Sequence, residues 1–167
     1  MLFNFRYIKI VLEFKISKQI IYFYIESHES TVWSSDFNKD GNKLISASDD
    51  KTLKLWKQTD PNNDDSKWTC YCTVSGYHSR AVFSVKWSKL NNLIVTSSAD
   101  NSIHIFKENA NLENDTGNQM VSLLCQYSNA HEQDVNCVDW SPNVDGLLAS
   151  CSDDGTIKIW QFNNIQD

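Results

Sequence analysis

Three histidine–aspartate pairs are the residues of this 167-residue chain best suited to chemistry. A histidine beside a carboxylate can act as a general base or contribute to a metal site. The separation within the pairs is nearly constant, at 22, 22 and 23 residues, which indicates one pair for each copy of a repeated unit. Because equivalent positions of separate units lie apart, we predict that the histidines do not converge on one site. The pairs are His28 with Asp50, His78 with Asp100, and His131 with Asp154.

Other signals for catalysis or metal binding are weak. No Cys-x-x-Cys spacing, Gly-rich phosphate loop or nucleophile–base pairing is visible, and adjacent aspartates such as Asp49 and Asp50 point apart in a tight turn. We therefore predict no enzyme activity, no metal and no cofactor. The cysteines are predicted to be small buried strand residues, with the last two on neighbouring strands, and His104 is predicted to lie on the surface. The five cysteines are Cys70, Cys72, Cys125, Cys137 and Cys151.

The unit that carries each pair occurs three times, with four landmarks in each copy. An aromatic residue follows the histidine by nine positions in two copies with Trp and one with Phe, and a second aromatic residue follows the aspartate by six. The first set is Phe37, Trp87 and Trp140, and the second set is Trp56, Phe106 and Trp160. Four matched landmarks in three copies indicate a repeat architecture.

Each unit is predicted to form short strands separated by polar turns. In the first unit, the segments 32–37, 43–47, 52–56 and 68–74 are rich in Val, Ile, Thr or aromatic residues, and no helical period appears. Four antiparallel strands with a histidine and an aspartate at fixed positions are typical of a β-propeller blade. The predicted fold class is all-β, a partial propeller of about three four-stranded blades in an open arc.

These units resemble WD40 repeats, placed at about 28–66, 78–118 and 131–163. The resemblance implies a buried tetrad of His, Ser or Thr, Asp and Trp in each unit, which the second unit lacks in part because Phe106 has no N–H group. The hydroxyl member lies two residues apart in either of two choices per unit: Ser46 or Ser48, Thr96 or Ser98, and Ser150 or Ser152. We assign the tetrads to His28, Ser48, Asp50 and Trp56, to His78, Ser98 and Asp100, and to His131, Ser152, Asp154 and Trp160.

Longer segments resemble one WD40 subfamily, the WD40 component of the cytosolic iron–sulfur protein assembly (CIA) machinery. They are residues 28–34, 75–80, 130–140 and 146–155. The resemblance implies the last three blades of a seven-bladed propeller, which acts as a scaffold without a cluster of its own. It also implies protein partners (CIA targeting subunits and apoprotein clients) in the cytoplasm, with the nucleus as a second location. The alternative is a generic WD40 adaptor, such as a ubiquitin-ligase receptor or a chromatin scaffold.

The residues around the start of each innermost strand form the predicted partner surface. This rim is the usual partner face of propellers, and exposed aromatic residues and arginine are favoured at protein interfaces. Arg80 is the first choice among them. The predicted partner-binding residues are Arg80, Phe83, Trp33, Glu132, Asp134 and Asn136.

Charge excludes other partners and separates the first 25 residues from the rest. The net charge of −6 has the wrong sign for a general nucleic-acid binder. Residues 1–25 are apolar and carry a net +3, but their charges interrupt any run long enough for a membrane span. Within them, Tyr7–Ile16 is predicted to be a free strand and Ile20–Ile25 an outer strand. We expect the chain to be a fragment; the alternative is a short form that dimerises or caps an exposed edge with residues 7–25.

Overall fold

The computed structural model describes residues 10–16, 19–60, 67–109 and 120–163, with side chains from residue 25 onward. Its thirteen strands in these ranges are β1 (Ile10–Ile16), β2 (Gln19–Ile25), β3 (Val32–Phe37), β4 (Lys43–Ser48), β5 (Leu53–Gln58), β6 (Trp68–Val74), β7 (Val82–Trp87), β8 (Leu93–Ser98), β9 (Ile103–Glu108), β10 (Val121–Tyr127), β11 (Val135–Trp140), β12 (Leu147–Ser152) and β13 (Ile157–Gln161). No helix in the described ranges is long and apolar enough to span a membrane.

The strands form three consecutive antiparallel blades and one hairpin. The first blade is β3-β4-β5-β6 and the second is β7-β8-β9-β10. In the described residues the third blade has three strands, β11-β12-β13. The predicted strands 32–37 and 68–74 are therefore confirmed with the same bounds. The predicted ends of the first two units, 66 and 118, lie outside the described residues.

The turn between the second and third strands of each blade has the same backbone conformation. Its third residue has a positive φ in every blade, 68° at Lys51, 64° at Asn101 and 77° at Gly155. Only glycine adopts this left-handed region without steric cost, and asparagine tolerates it better than lysine. The turn geometry is therefore kept even where the residue disfavours it.

The core lies between successive blades, where the far face of one blade meets the near face of the next. We define the near face as the one that packs on the preceding blade. Leu53 and Leu55 on the far face of the first blade share a cluster with Val85 and Trp87 on the near face of the second. The second and third blades repeat this arrangement through Ile103, Ile105, Val138 and Trp140. Each blade thus depends on a neighbour to bury its apolar side chains.

Polar groups also connect the blades. Asp36 on β3 accepts a hydrogen bond from the Trp87 backbone N–H at 2.8 Å, and Trp140 Nε1 donates to the Lys86 carbonyl at 3.2 Å. Glu108 at the end of β9 is buried, bonded to Lys43 Nζ at 2.8 Å and to the Tyr71 hydroxyl at 2.5 Å, both on the first blade. Neighbouring blades are therefore held in register by specific hydrogen bonds as well as by apolar contact.

The N-terminal segment differs from its prediction. β1 pairs along its whole length with β2, from Ile10 opposite Ile25 to Ile16 opposite Gln19, so the strand predicted to be free is one half of a hairpin. Residues 7–9 of that prediction lie outside the described residues. The two runs are separated by only two residues, so a hairpin satisfies their backbone groups locally. Ile25 then packs with Leu44, Trp56 and Trp68 of the first blade.

Candidate protein-interaction surface

In the first blade a chain of hydrogen bonds joins three strands or loops. Trp56 Nε1 on β5 donates to Ser46 Oγ on β4 at 2.9 Å, and Ser46 Oγ lies 2.7 Å from His28 Nε2. His28 Nδ1 lies 2.8 Å from Asp50 Oδ2 in the β4–β5 turn. With the carboxylate as acceptor, Nδ1 carries the proton and Nε2 accepts from the serine. This chain fixes the loop before β3 to the turn.

The carboxylate of Asp50 is held ionised by its donors. Burial alone would raise its pKa, but hydrogen bonds from the Thr52 side chain, the Glu29 backbone N–H and His28 outweigh burial and lower the pKa to about 2. For His28, burial has the larger effect and lowers the pKa, against the opposing attraction of Asp50. The pair is therefore a carboxylate with a neutral imidazole near neutral pH.

The other two blades repeat the arrangement, one of them incompletely. His131 lies 2.9 Å from Asp154 and 2.7 Å from Ser150, which accepts from Trp160 Nε1 at 2.8 Å. In the second blade, His78 lies 3.1 Å from Asp100 and 2.8 Å from Thr96 Oγ1. Phe106 stands where the indole would be, and it has no N–H to donate. The three histidines thus belong to three separate networks.

The assignment of the hydroxyl member to Ser48, Ser98 and Ser152 is wrong. The structure places Ser46, Thr96 and Ser150 between the histidine and the aromatic residue. The three assigned serines instead accept hydrogen bonds at 3.1 Å from the backbone N–H groups of Asp50, Asp100 and Asp154. Residues two apart in a strand share a face, so the sequence pattern could not separate the two choices. The serine nearer the turn closes the turn, and the one farther along the strand meets the histidine.

His104 is also placed differently from its prediction. Its side chain is fully buried, and its ring stacks on His78 with 4.0 Å between centroids and 12° between planes. Nε2 lies 3.2 Å from Ser102 Oγ, while Nδ1 has no hydrogen-bond partner among the described residues. Lysines occupy the equivalent positions 54 and 158, which suggested a surface residue. Burial and the nearby His78 lower the pKa of His104 to about 4.

The cysteines do not converge on a site in the described ranges. Cys72 is buried as predicted, whereas Cys137 is exposed and the other three are half-buried. Cys137 and Cys151 are directly opposite on β11 and β12, which confirms that they lie on neighbouring strands. No group of three or more His, Cys, Asp or Glu side chains that could hold a metal ion occurs among the described residues.

Two aromatic side chains stand out on the rim, at the second position of successive innermost strands. Trp33 on β3 is 53% exposed, and its ring meets Phe83 on β7 edge to face with 5.6 Å between centroids. Asn136 occupies the equivalent place on β11 and donates to Asp153 Oδ1 at 2.5 Å. The result is an apolar surface on the first two blades that borders a polar surface on the third.

Arg80 links the loops of the second and third blades. Its Nη1 donates to Asp134 Oδ1 at 2.9 Å and to the Ala99 carbonyl, yet 60% of its side chain remains exposed. Glu132 is exposed, and its backbone N–H donates to Asp154 at 3.1 Å. All six predicted rim residues thus lie on one edge of the blades, with an arginine whose position is fixed by its contacts.

The sheets, their blade-to-blade cores and the His–Asp networks define a β-propeller repeat protein. The chain matches the family model described as WD domain, G-beta repeat, over residues 18–57, 68–107 and 122–161. It therefore belongs to the WD40 repeat family.

Curated relatives carry a more specific name. The chain is 42% identical to the probable cytosolic iron-sulfur protein assembly protein Ciao1 of Aedes aegypti over 81% of this chain and 42% of the relative. It is 48% identical to the protein of the same name from Drosophila mojavensis over 65% of this chain and 34% of the relative. The chain therefore spans less than half the length of these relatives.

Proposed function

We propose that this chain acts as a protein–protein interaction scaffold in cytosolic iron–sulfur protein assembly. The observation that carries the proposal is its 42–48% identity, over most of its length, to proteins named for that assembly process. WD40 blades supply a rigid frame and exposed loops, which suits a scaffold. Its partners are proposed to be the CIA targeting subunits and their apoprotein clients, in the cytoplasm and also in the nucleus.

A non-catalytic role is supported by how the reactive side chains are used. Each tetrad histidine already contacts an aspartate and a hydroxyl within its own blade. A general base needs a free nitrogen within hydrogen-bond reach of the proton that it abstracts. These histidines stabilise the fold, and we propose that clusters are handled by the partners.

The rim is the proposed partner surface. The Trp33–Phe83 pair offers exposed aromatic area, and Arg80 is held in one orientation by Asp134 and Ala99. Aromatic residues and arginine dominate the binding energy of many interfaces, and a side chain that is already ordered loses less entropy on binding. Glu132, Asp134 and Asn136 add polar groups beside this centre.

Co-purification tests the proposal. The tagged full-length chain, expressed in cells, should recover the CIA targeting subunits. Arg80→Glu and the double variant Trp33→Ala, Phe83→Ala should each reduce recovery by about tenfold or more. Leu124→Ala is the matched control, because Leu124 is exposed on β10, away from the rim.

Three results would contradict the proposal in different ways. If the chain recovers no CIA subunit, the assembly function is wrong. If it recovers ubiquitin-ligase or chromatin subunits instead, the generic adaptor is favoured. Equal recovery by the rim variants and the control would leave the assembly role in place but remove the rim as its binding surface.

A further inference from the structure

The far face of the third blade is open, unlike the same face of the other two blades. Ile157 and Ile159 on β13 are 74% and 66% exposed. The equivalent residues of the first blade, Leu53 and Leu55, are 2% and 0% exposed, because the second blade covers them. Two neighbouring isoleucines with this exposure form an apolar surface of the kind that marks an interaction site.

The open face also carries the polar group that binds a following blade. In the first blade, Asp36 accepts the backbone N–H of Trp87 and an ion pair from Lys89 at 3.2 Å, both from the second blade. Asp139 on β11 occupies the same position in the third blade and is exposed. The face therefore presents an acceptor for an incoming inner strand and a negative charge for a lysine two residues beyond it.

The first blade of the same chain has the matching groups. Val32, Ser35 and Phe37 on its near face occupy the positions of the residues with which the second blade covers the first. Lys39 is exposed and stands two residues after Phe37, as Lys89 stands two residues after Trp87. Packing around Ile25 covers the outer part of this near face, while Ser35 on the inner strand is exposed.

We propose that two copies of this chain associate head to tail, with the far face of the third blade on the near face of the first blade of the second copy. Lys39 then pairs with Asp139 of the other copy, and Ile157 and Ile159 pack beside Val32 and Phe37. A contact between two different surfaces forms a closed assembly only if its rotation closes. Two copies supply six blades, within the four to eight of closed propellers. The proposal does not depend on the iron–sulfur function.

Oligomeric state is the first test. Light scattering after size exclusion should give twice the 19.2 kDa of the single chain. Ile159→Lys should produce the single-chain mass, because it places a charge in the apolar contact. Val144→Lys is the matched control, since Val144 is 49% exposed in a turn of the same blade but off the far face. Circular dichroism of both variants establishes that they remain folded.

A charge exchange identifies the two surfaces. Asp139→Lys and Lys39→Asp alone should each weaken association by about tenfold, and the chain that carries both should recover it. Recovery in the double variant supports the head-to-tail contact, and it would not occur if the variants acted by unfolding the chain. No recovery, although each single variant weakens association, overturns it.

Other masses also decide the question. A wild-type chain of single-chain mass at every concentration overturns the proposal, as does a pair that Ile159→Lys leaves intact. Open-ended oligomers overturn the closed six-blade ring. A chain that associates only with a different WD40 protein would show that the open face takes another partner, which also overturns it.

Discussion

The first and second blades share one fold and differ in the aromatic residue that ends the hydrogen-bonded network. Trp56 donates its indole N–H to Ser46, whereas Phe106 at the same position has nothing to donate. The histidine still lies 3.1 Å from its aspartate and 2.8 Å from its hydroxyl in the second blade, against 2.8 and 2.7 Å in the first. The geometry therefore survives the loss of one member.

Packing explains why the geometry survives. Phe106 is fully buried in the core between the first and second blades, and His104 stacks on His78 from the neighbouring position of β9. Apolar contact and ring stacking hold His78 where the first blade uses an indole hydrogen bond. The comparison teaches that contact between blades sets the positions, while the network satisfies the polar groups that burial would otherwise leave unpaired.

Truncation of the two aromatic residues should give the largest effects. We expect Trp56→Ala to lower the free energy of unfolding by about 4 to 5 kcal/mol and Phe106→Ala by about 3 to 4 kcal/mol. Both create a large cavity, but only the first also leaves the Ser46 hydroxyl without its donor. Urea denaturation of each variant measures the difference, and a larger loss for Phe106→Ala would show that the network adds nothing to packing.

Trp56→Phe should make the first blade resemble the second. We expect a loss of about 2 kcal/mol, from one buried hydrogen bond and the smaller ring. A double-mutant cycle with Ser46→Ala, measured by urea denaturation, isolates the hydrogen bond. A coupling energy near zero would contradict the network as the stabilising contact of Trp56.

His104 should make stability depend on pH through the second blade. Burial, aided by the His78 charge and opposed by Asp100, lowers its pKa to about 4 in the folded chain, whereas an unfolded histidine titrates near 6.5. The unfolded state therefore binds more protons between these values, and stability falls as the pH decreases from about 6.5 to about 4. Allowing for solvent screening, we expect a loss of about 1 to 2 kcal/mol over this range.

The measurement is denaturation at a series of pH values for paired variants. His104→Leu should remove this part of the pH dependence, while Lys54→Leu at the equivalent position of the first blade should keep it. Asp50 acts in a separate window, because its contribution is lost only as the pH falls from about 3.8 toward 2. Identical pH profiles for His104→Leu and the wild type would contradict the prediction.

The smallest expected effect lies in the turn after Asp50. Lys51→Gly should raise the free energy of unfolding by about 0.5 to 1 kcal/mol, because Lys51 has a φ of 68°. Gly155→Lys is the reverse change in the third blade and should lower stability by a similar amount. A Cβ at Gly155 meets nothing within 4 Å, so its cost is conformational. Thermal unfolding measures both, and equal stability of Lys51→Gly and the wild type would contradict the strain.

The sequence by itself determined the repeated unit, the WD40 fold and strands such as Val32–Phe37 and Trp68–Val74, which the structure confirms. Spacing suffices there because alternation, turn residues and fixed offsets are local properties of the chain. It also identified which histidine meets which aspartate, since their separation repeats in every unit.

Only the tertiary structure decided which of two same-face hydroxyls meets the histidine, where His104 lies, and how the N-terminal strands pair. Ser46 and Ser48 have the same parity, and the distance of each from His28 depends on the loop that returns across the sheet. His104 is buried by His78 and Phe106, and Ile159 is exposed although Leu55 at the same position is covered. Burial depends on which blade lies alongside, and that contact is a property of the assembled fold, which no local pattern encodes.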